Sequence, residues 1–169
     1  LDEFAIDQVE VTNERYMAFV QSIGHRTPPN PYGTGPLQSI QGIEQLPVVQ
    51  TTWYDAQSYC SWAKKRLPTE AEWEKAGRGE SKRRYPWGDK VVTNAANIDG
   101  SEDGYKYLAP PGSFDGGRSP YGLYDMTGNV AEWVEDSYDE GYYKKTPFRD
   151  PKGPENADLK VVRGGSWRE

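Results

Sequence analysis

Residues 125–132 read DMTGNVAE, and they put oxygen atoms of several kinds within one short turn. Asp125 and Glu132 supply carboxylates, Asn129 an amide, and Gly128 and Val130 sit where backbone carbonyls can point inward. Calcium takes roughly six to eight such oxygens, from carboxylates, amides and carbonyls, in a tolerant geometry. The spacing does not fit an EF-hand loop, which needs acids at alternate positions and a glycine at the sixth. The flanking Tyr121, Leu123, Tyr124, Met126 and Trp133 are core types, and a carboxylate buried among them needs a counter-charge. A second collection, NIDGSEDGY at 97–105, gathers Asn97, Asp99, Glu102 and Asp103 around two glycines. Acids beside Gly and Asn also build ordinary turns, so spacing alone leaves cation binding and plain turns both open.

The elements that must position these groups are short. Thr12 can cap VTNERYMAFVQSIG, with Tyr16, Phe19 and Val20 on one face and Gly24 as the stop. Thr51 or Thr52 can cap WYDAQSYCSWAKK, where Ala56, Tyr59, Cys60 and Ala63 form a stripe. In RLPTEAEWEKAGRG, Thr69 and Glu72 make a capping box after Pro68, with Gly77 as the expected stop. Glu70 and Glu72 read as first-turn acids that complement the helix dipole, not as catalytic groups. FAIDQVEV at 4–11 alternates loosely and predicts a strand, and LKVVRGGSW predicts a short strand ending in a glycine pair. Residues 25–47 and 137–158 are irregular, and His25 in the first reads as a loop histidine, not a base. Between 78 and 120 turn signals such as YPWGD, EDG and PPG replace periodicity. Residues 121–136 form a further ordered unit, although a plain core strand there is not expected to tolerate its acids.

Composition narrows the functions. With 169 residues the chain fits one domain, and 18 glycines with 13 prolines predict loops and short elements in place of a bundle or doubly wound sheet. The net charge of −6 and scattered bases argue against nucleic acid; KRRYPWGDK at 82–90 reads as a solvated turn. No apolar run is long enough for a membrane span, and no secretory leader opens the chain. One cysteine rules out a disulfide within the chain. One histidine and one cysteine rule out His/Cys zinc sites and three-histidine iron sites.

EVTNERYMAFV, PVVQTTWYDAQSYCSWAKKRLPTEAEWEKAGRG, YPWGD, SPYGLYDMTGNVAEW and VVRGGSW occur in an order that resembles the formylglycine-generating enzyme family. That family includes sulfatase-modifying factors and related domains of ergothioneine-synthase-type and pyoverdine-maturation proteins. The likeness runs from about residue 4 to residue 167. It implies a single α+β domain over 1–169, C-type-lectin-like, poor in regular structure and rich in long loops, continuing at both ends. It also implies two calcium sites. One takes the side chains of Asn97 and Asp103 and the carbonyls of Ile98 and Tyr105. The other takes the side chains of Asp125 and Glu132 and the carbonyls of Gly128 and Val130. Asp125 stands where the family often has Asn and keeps an oxygen ligand there. Asp99 and Glu102 have no assigned place.

The sulfatase-activating members hold copper with a cysteine pair downstream of the RGGSW block, beyond the residues here; thiolates are the soft ligands Cu(I) selects. Cys60 matches a structural family position, in some members a disulfide partner of that tail, and reads as a buried apolar residue. The helical domain that supplies iron-binding histidines in ergothioneine-synthase-type proteins has no counterpart here. The first expectation is therefore a calcium-stabilised, non-catalytic scaffold that meets a protein partner through loops 25–47 and 137–158. The alternative is a copper oxidase that converts a peptide cysteine to formylglycine with the cysteine pair in the tail. Calcium-dependent carbohydrate binding comes third. The family's habits and the calcium level outside cells point to an extracellular, periplasmic or secretory-pathway setting.

Overall fold

Among the described residues, a threonine caps the start of each α-helix. The computed structural model describes residues 1–100, 102–155 and 157–168. Helix α1 spans Asn13–Ile23, its N-terminal Arg15 N–H donating to the Thr12 hydroxyl and Gly24 closing it at φ 70°. Helix α2, Trp53–Trp62, opens with a capping box between Thr52 and Asp55. Helix α3, Glu70–Arg78, opens with the expected Thr69–Glu72 box. Glu72 also receives both guanidinium nitrogens of Arg66 at 2.7 Å, so its first-turn role is structural. Tyr16, Phe19 and Val20 of α1 meet Tyr59 of α2 in one apolar cluster, with half-buried Cys60 at its edge. Burial pushes the Cys60 thiol above its ordinary pKa.

Three expectations need correction. Gly77 does not stop α3; Gly79 does, and Gly77 lies inside the helix. A Cβ there would come within 3.3 Å of Met126, so the glycine lets α3 seat on the loop that follows residue 120. Residues 4–11 are not a strand. Their backbone makes isolated bonds instead, Tyr124 N–H to the Gln8 carbonyl and Val48 N–H to the Val11 carbonyl, each 2.8–2.9 Å, to two different parts of the chain. Conversely, the acids of 121–136 do not prevent a strand. Strand β1, Glu132–Ser137, pairs antiparallel with β2, Lys160–Arg163, with an irregularity between Trp133 and Ser137.

Two of the three acids on β1 have partners that let the strand carry them. Asp136 accepts the Glu70 N–H at 2.7 Å, reinforcing the start of α3, and the Glu132 carboxylate accepts from the Trp73 indole at 2.6 Å. Between them, Val134 is fully buried and joins Trp73, Ala76, Leu123, Met126 and Val161 in the second apolar cluster. The remainder is loops, tightened by short helical turns such as Asp115–Gly117 and Tyr142–Lys144. The YPWGD turn closes through reciprocal Tyr85–Gly88 backbone bonds.

Asp55 ties the first irregular segment to α2. Its carboxylate accepts from the Thr52 N–H and hydroxyl, both 2.7 Å, from Arg26, and from His25 Nε2 at 2.9 Å. His25 is thus a loop histidine, its ring 4.7 Å from that of Phe19. Burial opposes ionisation of Asp55, but Arg26, Thr52 and His25 outweigh it and hold the carboxyl far below its ordinary range. Asp55→Ala is expected to cost about 1–2 kcal/mol, mainly from the lost capping box, since Arg26 is half exposed and can rehydrate. Glu80→Ala, which removes only an exposed pair with Lys75, should leave stability unchanged within error. Paired chemical denaturation curves check both.

Candidate metal centres

Asn97 is 1% exposed, and its two amide protons are committed. They go to the Tyr107 carbonyl at 2.7 Å and to Asn129 Oδ1 at 2.9 Å. The amide oxygen of Asn97 is left buried with no hydrogen-bond partner, one of three such side-chain atoms among the described residues, with Tyr16 Oη and Arg163 Nε. Next to it, Asp103 accepts the Ile98 N–H at 3.1 Å and the Tyr105 N–H at 2.9 Å. The structure therefore brings Asn97, Ile98, Asp103 and Tyr105 together. Asp99 and Glu102 are exposed, as ordinary surface residues.

The second collection is built by a chain that turns three times. Asp125, Gly128 and Asn129 all take left-handed conformations, at φ 56°, 80° and 57°. Gly128 has no alternative: a Cβ would lie 2.2 Å from the Asn97 carbonyl oxygen. Asp125 accepts the Gly112 N–H at 2.7 Å and is 8% exposed. Glu132, at the start of β1, leans on Trp73 of α3. Asp125, Gly128, Val130 and Glu132 thus occupy one turn and the strand start that follows it.

Sequence reasoning missed Glu10. It is 8% exposed, accepts Asn129 Nδ2 at 2.6 Å and the Val130 N–H at 3.2 Å, and lies close enough to Asp125 and Glu132 to feel both charges. Its only local sign is an acid set between Val9 and Val11. Asn129, read as a ligand or a turn-holder, holds the turn.

These carboxylates lack cationic partners. Among the described residues no Lys or Arg forms an ion pair with Glu10, Asp125 or Glu132. Arg163 lies opposite Glu132 across the sheet, yet its guanidinium turns to Glu70 at 3.8 Å and Glu74 at 3.3 Å. Burial accordingly pushes Glu132 up to about 7, with Asp125 adding repulsion and only the Trp73 N–H opposing. Burial raises Asp125 against the single Gly112 N–H, and burial with both neighbours raises Glu10 further.

The donor set suits a hard cation. Among the described residues no group of three or more His, Cys, Asp or Glu could hold a metal, so any ion must be completed by amide and backbone oxygens. That is calcium's chemistry and not zinc's. The unpartnered Asn97 oxygen and the uncompensated pair Asp125 and Glu132 are what such an ion would satisfy.

Without metal, a raised Glu132 makes the fold most stable when that group is protonated. Its contribution is full below the ordinary value of 4.5 and is lost as pH rises through about 7. In chelator, the melting temperature should fall between about pH 5 and about pH 7.5, and Glu132→Gln should flatten that fall. Scanning calorimetry across the range checks the sign.

Comparison with known proteins agrees with this architecture. The family model described as sulfatase-modifying factor enzyme 1-like domain matches residues 1–169. The chain is 33% identical to the formylglycine-generating enzyme of Streptomyces coelicolor over 99% of its own length and 68% of that protein. It is 39% identical to the inactive C-alpha-formylglycine-generating enzyme 2 of Mus musculus, over 79% of this chain and 41% of that one. The solved structure of PvdO from Pseudomonas aeruginosa superposes with a TM-score of 0.75 at 28% identity, covering 95% of this chain and 67% of PvdO. The few helices, two-stranded sheet and long loops are therefore the formylglycine-generating-enzyme fold, and this chain belongs to the sulfatase-modifying factor family.

Proposed function

We propose that the chain is a calcium-stabilised domain of this family that serves as a scaffold or protein-interaction module. The observation that carries the metal reading is the buried, unpartnered oxygen of Asn97 beside Asp103. The uncompensated Asp125 and Glu132 supply the second site. Calcium at the levels found outside cells fits an extracellular, periplasmic or secretory-pathway setting, and among the described residues no helix is long and apolar enough to cross a membrane.

The partner-binding reading rests on the loops. Tyr32 in 25–47, and Tyr138, Tyr143 and Phe148 in 137–158, are exposed, Phe148 completely. The second loop also walls a groove of about 440 Å³ against α3, lined by Glu70, Glu74, Tyr142, Tyr143 and Val161. Exposed rings on long loops are common anchors for a protein partner.

Relatives named formylglycine-generating enzyme favour a second reading, a copper-dependent oxidation of a peptide cysteine to formylglycine. The residues here do not fit copper. Cys60 is the sole thiol, half-buried and raised in pKa, whereas Cu(I) needs paired soft ligands. Under that reading the cysteine pair lies outside residues 1–169.

Two measurements test the proposal. Calcium at about 100 times its dissociation constant should add about 2.7 kcal/mol per site, so chelation should lower the melting temperature by several degrees. Glu132→Ala should remove much of the calcium-dependent part. A melting curve unchanged by chelator counts against the metal. Incubating the full-length protein, including whatever follows residue 169, with copper, oxygen and a cysteine-containing peptide, followed by mass spectrometry, addresses the rest: turnover of the cysteine would overturn the scaffold reading.

A further inference from the structure

We infer that the two calcium sites form one coupled unit, joined by the buried run Glu10–Asn129–Asn97, so that filling either site strengthens the other. The inference rests on the metal reading above and extends it to two residues, Glu10 and Asn129, outside either ligand set.

Backbone groups fix the sense of each amide in the run. The Tyr107 carbonyl can only accept, so Asn97 must present Nδ2 to it. The Ala109 N–H can only donate and its carbonyl can only accept, so Asn129 must present Oδ1 to one and Nδ2 to the other, at 2.9 and 3.1 Å. Asn129 then receives the second proton of Asn97 and passes its own to the Glu10 carboxylate at 2.6 Å. With both Asn97 protons committed, its oxygen is fixed in sense and left without a partner, in a loop where Asp103 accepts the N–H of the next residue, Ile98. Glu10 is thus the far anchor of a ligand it never touches.

The same carboxylate grips the other site. Its second oxygen accepts the Val130 N–H, in the residue whose carbonyl belongs to the second ligand set. Asp125 and Glu132 repel Glu10, and a dication between them would relieve that repulsion and firm Glu10 as an acceptor. A backbone contact runs in parallel: the Asn129 N–H donates to the Asn97 carbonyl at 2.8 Å, and Gly128 leaves no slack against it. A shift of the 128–130 turn on metal binding is therefore a shift of Asn97. Two ligand sets that share one rigid buried connection bind cooperatively when each ion selects the same arrangement.

The test is calorimetric titration of calcium into chelator-treated protein. The wild type should take up two ions with a Hill coefficient above 1. Asp103→Ala, which touches no residue of the second set, should still bind one ion, weakened by about fivefold or more. Glu10→Gln should weaken uptake at both sites and bring the Hill coefficient to 1. A merely structural Glu10 would lower the melting temperature in chelator and leave cooperativity intact. If Glu10→Gln does not fold, Asp103→Ala decides alone. Two independent ions in the wild type, or a remaining site unchanged to within about twofold in Asp103→Ala, would overturn the coupling and spare the calcium reading. No calcium uptake would overturn both.

Discussion

Three carboxylates sit inside this protein without a base to meet them. Glu10 lies more than a hundred residues before Asp125 and Glu132, and each of the three is held by neutral N–H groups only. Desolvated like charges are among the costliest features a small domain can carry. The surrounding body has little to set against them: three short helices, a two-stranded sheet and two modest apolar clusters. That desolvation cost is what the proposed calcium ions would offset. The Asn97 oxygen, orphaned within an otherwise satisfied amide network, points the same way from neutral chemistry.

The charges elsewhere show how differently the fold treats an acid it must keep by itself. Asp55 receives two groups from Thr52, two from Arg26 and one from His25, and that carboxylate ties the start of the loop after α1 to α2. Glu72 is closed by Arg66 and the Thr69 cap. Such acids are complete within the protein. The contrast with Asp125 and Glu132 separates structural carboxylates from ligand candidates better than burial does.

Local chemistry made the helices legible from residue order. Thr12, Thr52 and Thr69 are caps because their hydroxyls have a free N–H three residues on, and that is a short-range fact. Turn residues marked the loops for the same reason. The ligand candidates became legible through resemblance, since acids beside Gly and Asn look alike in any turn. What stayed hidden was long-range. Gly77 looked like a terminator, and only the approach of Met126 explains it as a packing residue. Strand β1 looked too acidic to be a strand until α3 supplied Trp73 and the Glu70 N–H as partners. Glu10 gave almost no sign, because its partners lie 119 and 120 residues away.

That last separation bears on how the polypeptide reaches its native state. The opening residues find their lasting neighbours late: Glu10 at Asn129 and Val130, Asp2 at Arg149. During synthesis, Phe4, Ile6 and Glu10 must wait for partners more than a hundred residues further along, among them Leu123, Asn129 and Val134. Topologies with such distant closures form slowly and spend time partly assembled.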